Sequence, residues 1–181
     1  PFFAYITTNA PHGPFIAPPK NTKHFTDLGF GKSQAGFYGM IENIDENMGR
    51  LMGKLKEWDL YKDTIVIFMS DNGHSEETGN KIRDDGHLSG YPKGHFYGAS
   101  GGGYTGKWIG QKGSFLEGGV RVPSIVSFPA KFPKGVARDQ IMTAMDWFPT
   151  VLHLCGVKQA EGSPKLDGHN LLPLIEKANA P

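Results

Sequence analysis

The stretch Ile65-Val66-Ile67-Phe68-Met69-Ser70-Asp71-Asn72-Gly73-His74 constrains this chain more than any other. A short, continuous apolar run rich in β-branched residues predicts a strand buried on both faces, as in a parallel sheet. In open α/β sheets, ligands bind beyond the carboxyl ends of the strands. Asp71, Asn72 and His74 leave the predicted strand at that position. Asp71, Asn72 and Gly73 also satisfy the plainer description of a strand followed by an Asp/Asn/Gly turn.

The chain has 181 residues, enough for one domain with a real core. Its 19 basic and 18 acidic residues leave a net charge of +1, which gives no support for a nucleic-acid or membrane surface. No run of about 18 apolar residues is present, so no membrane-spanning helix is predicted. The single cysteine, Cys155, excludes an internal disulfide and reads as a small core residue. The chain opens on Pro1-Phe2-Phe3 without a signal peptide, which suggests a processed chain or a fragment.

Phe2 to Thr8 reads as a first strand by its aromatic and β-branched content. It runs into the turn-rich Asn9-Ala10-Pro11-His12-Gly13-Pro14, which puts His12 just past a strand end. Residues 15 to 31 read as a Pro-containing loop. Ser33 is a candidate N-cap for a helix whose apolar positions include Met40, Ile41, Ile44, Met48, Leu51, Met52 and Leu55, ending near Trp58. This helix feeds the central strand, as in a strand–helix–strand crossover. Residues 75 to 113 form a long stretch with little periodicity, rich in glycine, aromatics and histidine (His87, His95), and read as a folded loop over a pocket. Ser124 to Phe128 is a further strand, and 130 to 139 a basic, solvated loop. A helix follows, with Pro149 near its first turn and Gly156 as its C-cap. Leu171 to Ile175 is a short apolar segment that docks on the core.

Three segments taken together, Asn9-Ala10-Pro11-His12-Gly13-Pro14, Ser70-Asp71-Asn72-Gly73 and Lys112-Gly113-Ser114-Phe115-Leu116-Glu117-Gly118-Gly119-Val120-Arg121-Val122-Pro123, resemble the sulfatase family. These are the formylglycine-dependent, arylsulfatase-like hydrolases of the alkaline-phosphatase-like superfamily. Asp146-Trp147-Phe148-Pro149-Thr150 and Leu166-Asp167-Gly168-His169-Asn170-Leu171-Leu172-Pro173 also resemble family landmarks and look structural. The resemblance implies an α/β fold: part of a three-layer sandwich, with a mostly parallel sheet, flanking helices and a long Gly-rich loop. It implies Asp71 and Asn72 as calcium ligands, one charged and one neutral hard oxygen donor. It implies catalytic roles for His12, at the sulfate or leaving oxygen, and for Lys112, as a point charge on the sulfate oxygens. His74, His87 and His95 are candidate substrate-binding residues. Lys107 is the competing lysine, but it does not precede the Gly-x-x-x-Glu-Gly-Gly pattern.

The departures from the family pattern are equally informative. No Cys/Ser-x-Pro-x-Arg motif is present, so the formylglycine nucleophile is expected outside this chain. Calcium takes 6–8 oxygens, so Asp71 and Asn72 make an incomplete ligand set. Residues 1–181 are therefore expected to be the middle-to-later part of a sulfatase catalytic domain, without an interior boundary and inactive alone. The expected partner is a sulfate ester, including a sulfated carbohydrate, with self-association through an exposed sheet edge as a further expectation. The resemblance implies a periplasmic or extracellular location. Two alternatives stay open: a phosphoester or phosphonate hydrolase of the same superfamily, and a non-catalytic sulfated-glycan-binding fragment.

Overall fold

The computed structural model describes residues 1–75, 81–82, 96–97 and 106–177. In chain order the helices are α1 (Pro19–Asp27), α2 (Lys32–Glu57), α3 (Glu117–Val120), α4 (Ala144–Leu154) and α5 (Leu172–Glu176). The strands are β1 (Val66–Met69), β2 (Lys81–Ile82), β3 (Phe96–Tyr97) and β4 (Ser124–Ser127). β1 and β4 are neighbours in one two-stranded sheet, and β2 pairs antiparallel with β3 in another, Lys81 opposite Tyr97. The chain divides into two compact units, one of Pro1–Asp59 with Ile67–Ile125, the other of Leu60–Val66 with Val126–Pro181.

In the first unit, α2 is the 26-residue helix its periodicity predicts, and it starts at Lys32, just ahead of the expected cap. Gly31, not Ser33, is its N-cap, and Ser33 lies in the first turn with its hydroxyl buried. Ala35, Gly36, Gly39, Met40 and Leu55 are its buried positions. The glycines are required by close approach: a Cβ at Gly36 would overlap the Phe15 carbonyl, and one at Gly39 would come within 2.8 Å of the Asn21 carbonyl oxygen and of the Thr22 methyl. Against this notch lies α1, where the sequence reading expected a loop. Its residues are too polar to show an apolar stripe, but its ends carry helix signals. Pro19 occupies the first turn, where a missing N–H costs nothing. Gly29, at φ +89°, closes the other end in a Schellman turn, Gly29 N–H donating to Thr26 O and Phe30 N–H to Phe25 O. Asn21 is fully buried between the helices, donating to Glu42 Oε1 and accepting from Asn43 Nδ2.

Two strand expectations need correction. Residues 2–8 carry no strand, and Phe3, Tyr5 and Ile6 are exposed, because no backbone among the described residues pairs with them. β1 lies where expected but is not buried on both faces: Phe68 and Met69 are 44% and 39% exposed. Its apolar run matches a central strand, yet its only sheet neighbour among the described residues is β4.

In the second unit, Phe132 is buried and meets Phe128 edge-on at 5.6 Å. The 130–139 segment is more than solvated surface. Arg138 donates to the Leu174 and Ile175 carbonyls of α5, and Lys131 pairs with Glu176 at 2.9 Å. Pro149 sits in the second turn of α4, not the first, and thus withholds a hydrogen bond from the Met145 carbonyl. Gly156, at φ +65°, closes α4 as expected.

The two landmarks that looked structural meet here on one buried carboxylate. Asp146 accepts from the N–H and hydroxyl of Thr143 at 2.7 and 2.8 Å, and from the His169 N–H at 2.8 Å. Thr150, also buried, donates to Asp146 O and accepts from Leu171 N–H. Burial pushes the Asp146 carboxyl up, but the bonds from His169 and Thr143 outweigh it and hold the group below the ordinary aspartate range. A depressed carboxylate stabilises the fold above its unfolded pKa, and that contribution is lost as pH falls through the folded value. Asp146→Asn is expected to lower stability at pH 7 by about 2 kcal/mol, because buried donors lose a charged acceptor. Thermal melts at pH 7 and pH 3 check this: the gap between wild type and variant should narrow in acid.

Candidate active site

The end of β1 turns on its own polar side chains. Ser70 Oγ donates to Asn72 O at 2.9 Å, and Asn72 Nδ2 donates to Gly73 O at 2.9 Å. With its amide nitrogen committed, Asn72 presents Oδ1 as an acceptor. Asp71 beside it is exposed. These two oxygens suit a hard cation. They do not complete a site: no group of three or more His, Cys, Asp or Glu able to hold a metal exists among the described residues.

Lys112 is brought to this strand end by the backbone. Its N–H donates to the His74 carbonyl at 2.7 Å, and Gly73 N–H donates to Gly119 O at 2.8 Å. Two short bonds therefore fasten the 110–119 segment along the residues that follow β1. The segment also closes on itself, with Gly118 N–H donating to Ile109 O at 2.9 Å and Ser114 N–H to Gln111 O at 2.9 Å. The glycines of this motif permit the approach. A Cβ at Gly73 would overlap the Gly118 carbonyl, one at Gly118 the Gly110 carbonyl, and one at Gly119 the carbonyls of Gln111 and Ser114. These obstacles are backbone, which cannot rotate away. Gly118→Ala is expected to cost about 1–3 kcal/mol by overpacking. Gly53→Ala, in an open position of α2, should instead stabilise by up to about 1 kcal/mol. Thermal melts of the two variants compare them directly.

Lys112 is exposed, and no carboxylate among the described residues pairs with it. Lys107 is engaged elsewhere, with Nζ 4.8 Å from the Trp108 ring centroid. His74 is half-buried and serves the site through its carbonyl. His12 is exposed in a self-contained turn, its N–H donating to Asn9 O and its Nδ1 to Gly13 O at 2.8 Å, which leaves Nε2 for a ligand. No hydrogen bond among the described residues ties it to Lys112 or to the end of β1. His87 and His95 lie outside the described residues. Sequence reasoning missed the stacking of Arg121 on Trp108, Cζ 4.1 Å from the ring centroid. Only the nearness of both residues to the lysine motif hinted at it.

Two oxygen-bearing side chains, Asp71 and Asn72, thus lie at the strand end to which the backbone bonds bring Lys112, a lysine with no carboxylate partner among the described residues. The comparisons with known proteins agree on the class to which the chain belongs. The chain matches the sulfatase family model over residues 1–157, and it belongs to that family. It is 38% identical to the steryl-sulfatase of Mus musculus over 158 residues, 86% of this chain and 23% of that protein. It is 33% identical to the N-acetylgalactosamine-6-sulfatase of Sus scrofa over 176 residues, 97% of this chain and 28% of that protein. Among solved structures it resembles Ps i-CgsB in complex with k-i-k-neocarrahexaose, with TM-score 0.69 and 31% identity over 91% of this chain and 31% of that one. The putative sulfatase yidJ from Bacteroides fragilis, 21% identical with TM-score 0.65 over 94% of this chain and 35% of that one, supports the fold alone. The fold is accordingly α/β, a partial sulfatase-type sandwich. The chain spans about a quarter of the length of these curated relatives.

Proposed function

We propose that this chain is the middle-to-later part of a sulfatase catalytic domain and that the full-length protein hydrolyses a sulfate ester. The observation that carries this is the fastening of Lys112 beside Asp71 and Asn72 by the Lys112–His74 and Gly73–Gly119 backbone bonds. In this reading Asp71 and Asn72 hold calcium together with acids outside the chain. Bound there, calcium offsets charge on the sulfate oxygens. Lys112 places its ammonium on a sulfate oxygen and stabilises the charge that grows as the S–O bond breaks. His12, through Nε2, gives a proton to the departing alcohol oxygen. The nucleophile is a formylglycine outside this chain. His74, His87 and His95 are proposed to contact the alcohol portion of the substrate. Sulfated carbohydrate is the favoured substrate class, because relatives include an N-acetylgalactosamine-6-sulfatase and a structure holding a neocarrahexaose. The family relationship supports a periplasmic or extracellular location, and no described helix is long and apolar enough to cross a membrane.

Peptide mass analysis of the full-length protein from its native cell tests this reading. A Cys or Ser converted to formylglycine within a Cys/Ser-x-Pro-x-Arg sequence is the expected result. An unmodified nucleophile would turn the reading toward a phosphoester hydrolase.

A further inference from the structure

Lys112 is carried on a loop rather than on a helix or strand, so something must fix the loop's neck. The neck is where Gly118 N–H meets Ile109 O. Immediately outside it on one side is Trp108, and on the other, after the single turn of α3, is Arg121. The Arg121 guanidinium lies over the Trp108 ring, Cζ 4.1 Å from its centroid, and is also held by Glu117 Oε2 at 3.0 Å. Arg121 N–H donates to Glu117 O at 2.7 Å as well. Glu117, Trp108 and Arg121 thus bridge the two sides of the neck with side chains, while within the loop Ser114 Oγ accepts from the Gln111 and Leu116 N–H groups at 3.3 Å. A planar guanidinium can stack flat on an indole while its edge keeps a carboxylate partner, which an ammonium cannot do.

We infer that the Arg121–Trp108 stack is a positioning clamp: it closes the neck of the 109–118 loop and sets Lys112 against the Asp71–Asn72 end of β1. This rests on the proposed role of Lys112. Neither clamp residue touches the sulfate; both act through the lysine. Displacing a catalytic group by about 1 Å can cost on the order of 100-fold in rate, so a loosened neck is felt in turnover before it is felt in folding.

The test uses the full-length protein with an aryl sulfate. Arg121→Ala is expected to lower kcat about 10- to 100-fold with little change in KM, and Trp108→Phe, which keeps a ring face, to stay within about 3-fold of wild type. The deciding measurement is Arg121→Ala introduced into Lys112→Ala. If Arg121 acts only through the lysine, it has no further effect there, since residues in one coupled unit are not additive. An equal additional loss in the Lys112→Ala background would overturn the inference, as would wild-type kcat for Arg121→Ala alone. A wild-type protein that leaves aryl sulfate intact would fail at the earlier step, the assignment of function, and is recognised before any variant is made.

Discussion

Lys112→Ala in the full-length protein is expected to lower kcat for an aryl sulfate by about 1,000-fold, with a smaller change in KM. The magnitude follows from what the side chain is asked to do. A preorganised donor aimed at charge that develops in the transition state is worth about 100- to 1,000-fold when removed, and a full ammonium lies at the upper end of that range. Three features of the structure around the lysine are compatible with this task. Its N–H is spent on the His74 carbonyl, its neighbours Gly118 and Gly119 are packed against backbone, and its ammonium has no carboxylate partner among the described residues. Lys112→Arg should recover little, because a planar five-donor fork does not replace a compact point charge on a fixed loop. Steady-state kinetics of the three proteins distinguish this from a binding effect: a rise in KM with kcat intact would mean that Lys112 merely attracts the substrate.

Asp71→Ala is expected to weaken calcium binding by at least about two orders of magnitude and to abolish turnover at micromolar calcium. Affinity in such sites is tuned over many decades by the number of charged oxygen ligands. Asp71 supplies a charged oxygen at the strand end, and Asn72, whose Nδ2 is tied to Gly73 O, supplies a neutral one. Asn72→Ala should therefore be the milder variant. Calorimetric titration of metal-free full-length protein reads both without relying on activity. Equal calcium affinity in wild type and Asp71→Ala would remove Asp71 from the metal site.

The parts of this account that were legible in the sequence are those where one local signal fixes one structure. The apolar run of β1 ending in Asp71-Asn72, the 3–4 spacing of α2 and the glycine after α4 each appear where expected. α1 was not legible because its contact with α2 is made by glycine notches and a buried Asn21, which leave no apolar stripe to read. Burial of β1 was overestimated because an apolar run does not show how many neighbours cover a strand: among the described residues β4 alone pairs with it. In the candidate site, residue types were readable and fastening was not. Nothing in the letters Gly73, Gly118 and Gly119 says that each stands against a particular carbonyl, although their clustering beside polar residues is the trace that this packing leaves. The Asp146 motif, by contrast, was legible as structural, and its carboxylate ties Thr143 to His169.

The central claim is that Asp71, Asn72 and Lys112 belong to one calcium-dependent sulfate site. Its most direct measurement is hydrolysis by the full-length protein of an aryl sulfate and the matching aryl phosphate, before and after chelation. The sulfate is expected to be the preferred substrate, chelation to stop its hydrolysis, and added calcium to restore it. Preferred hydrolysis of the phosphate, or sulfate turnover indifferent to calcium, would contradict it.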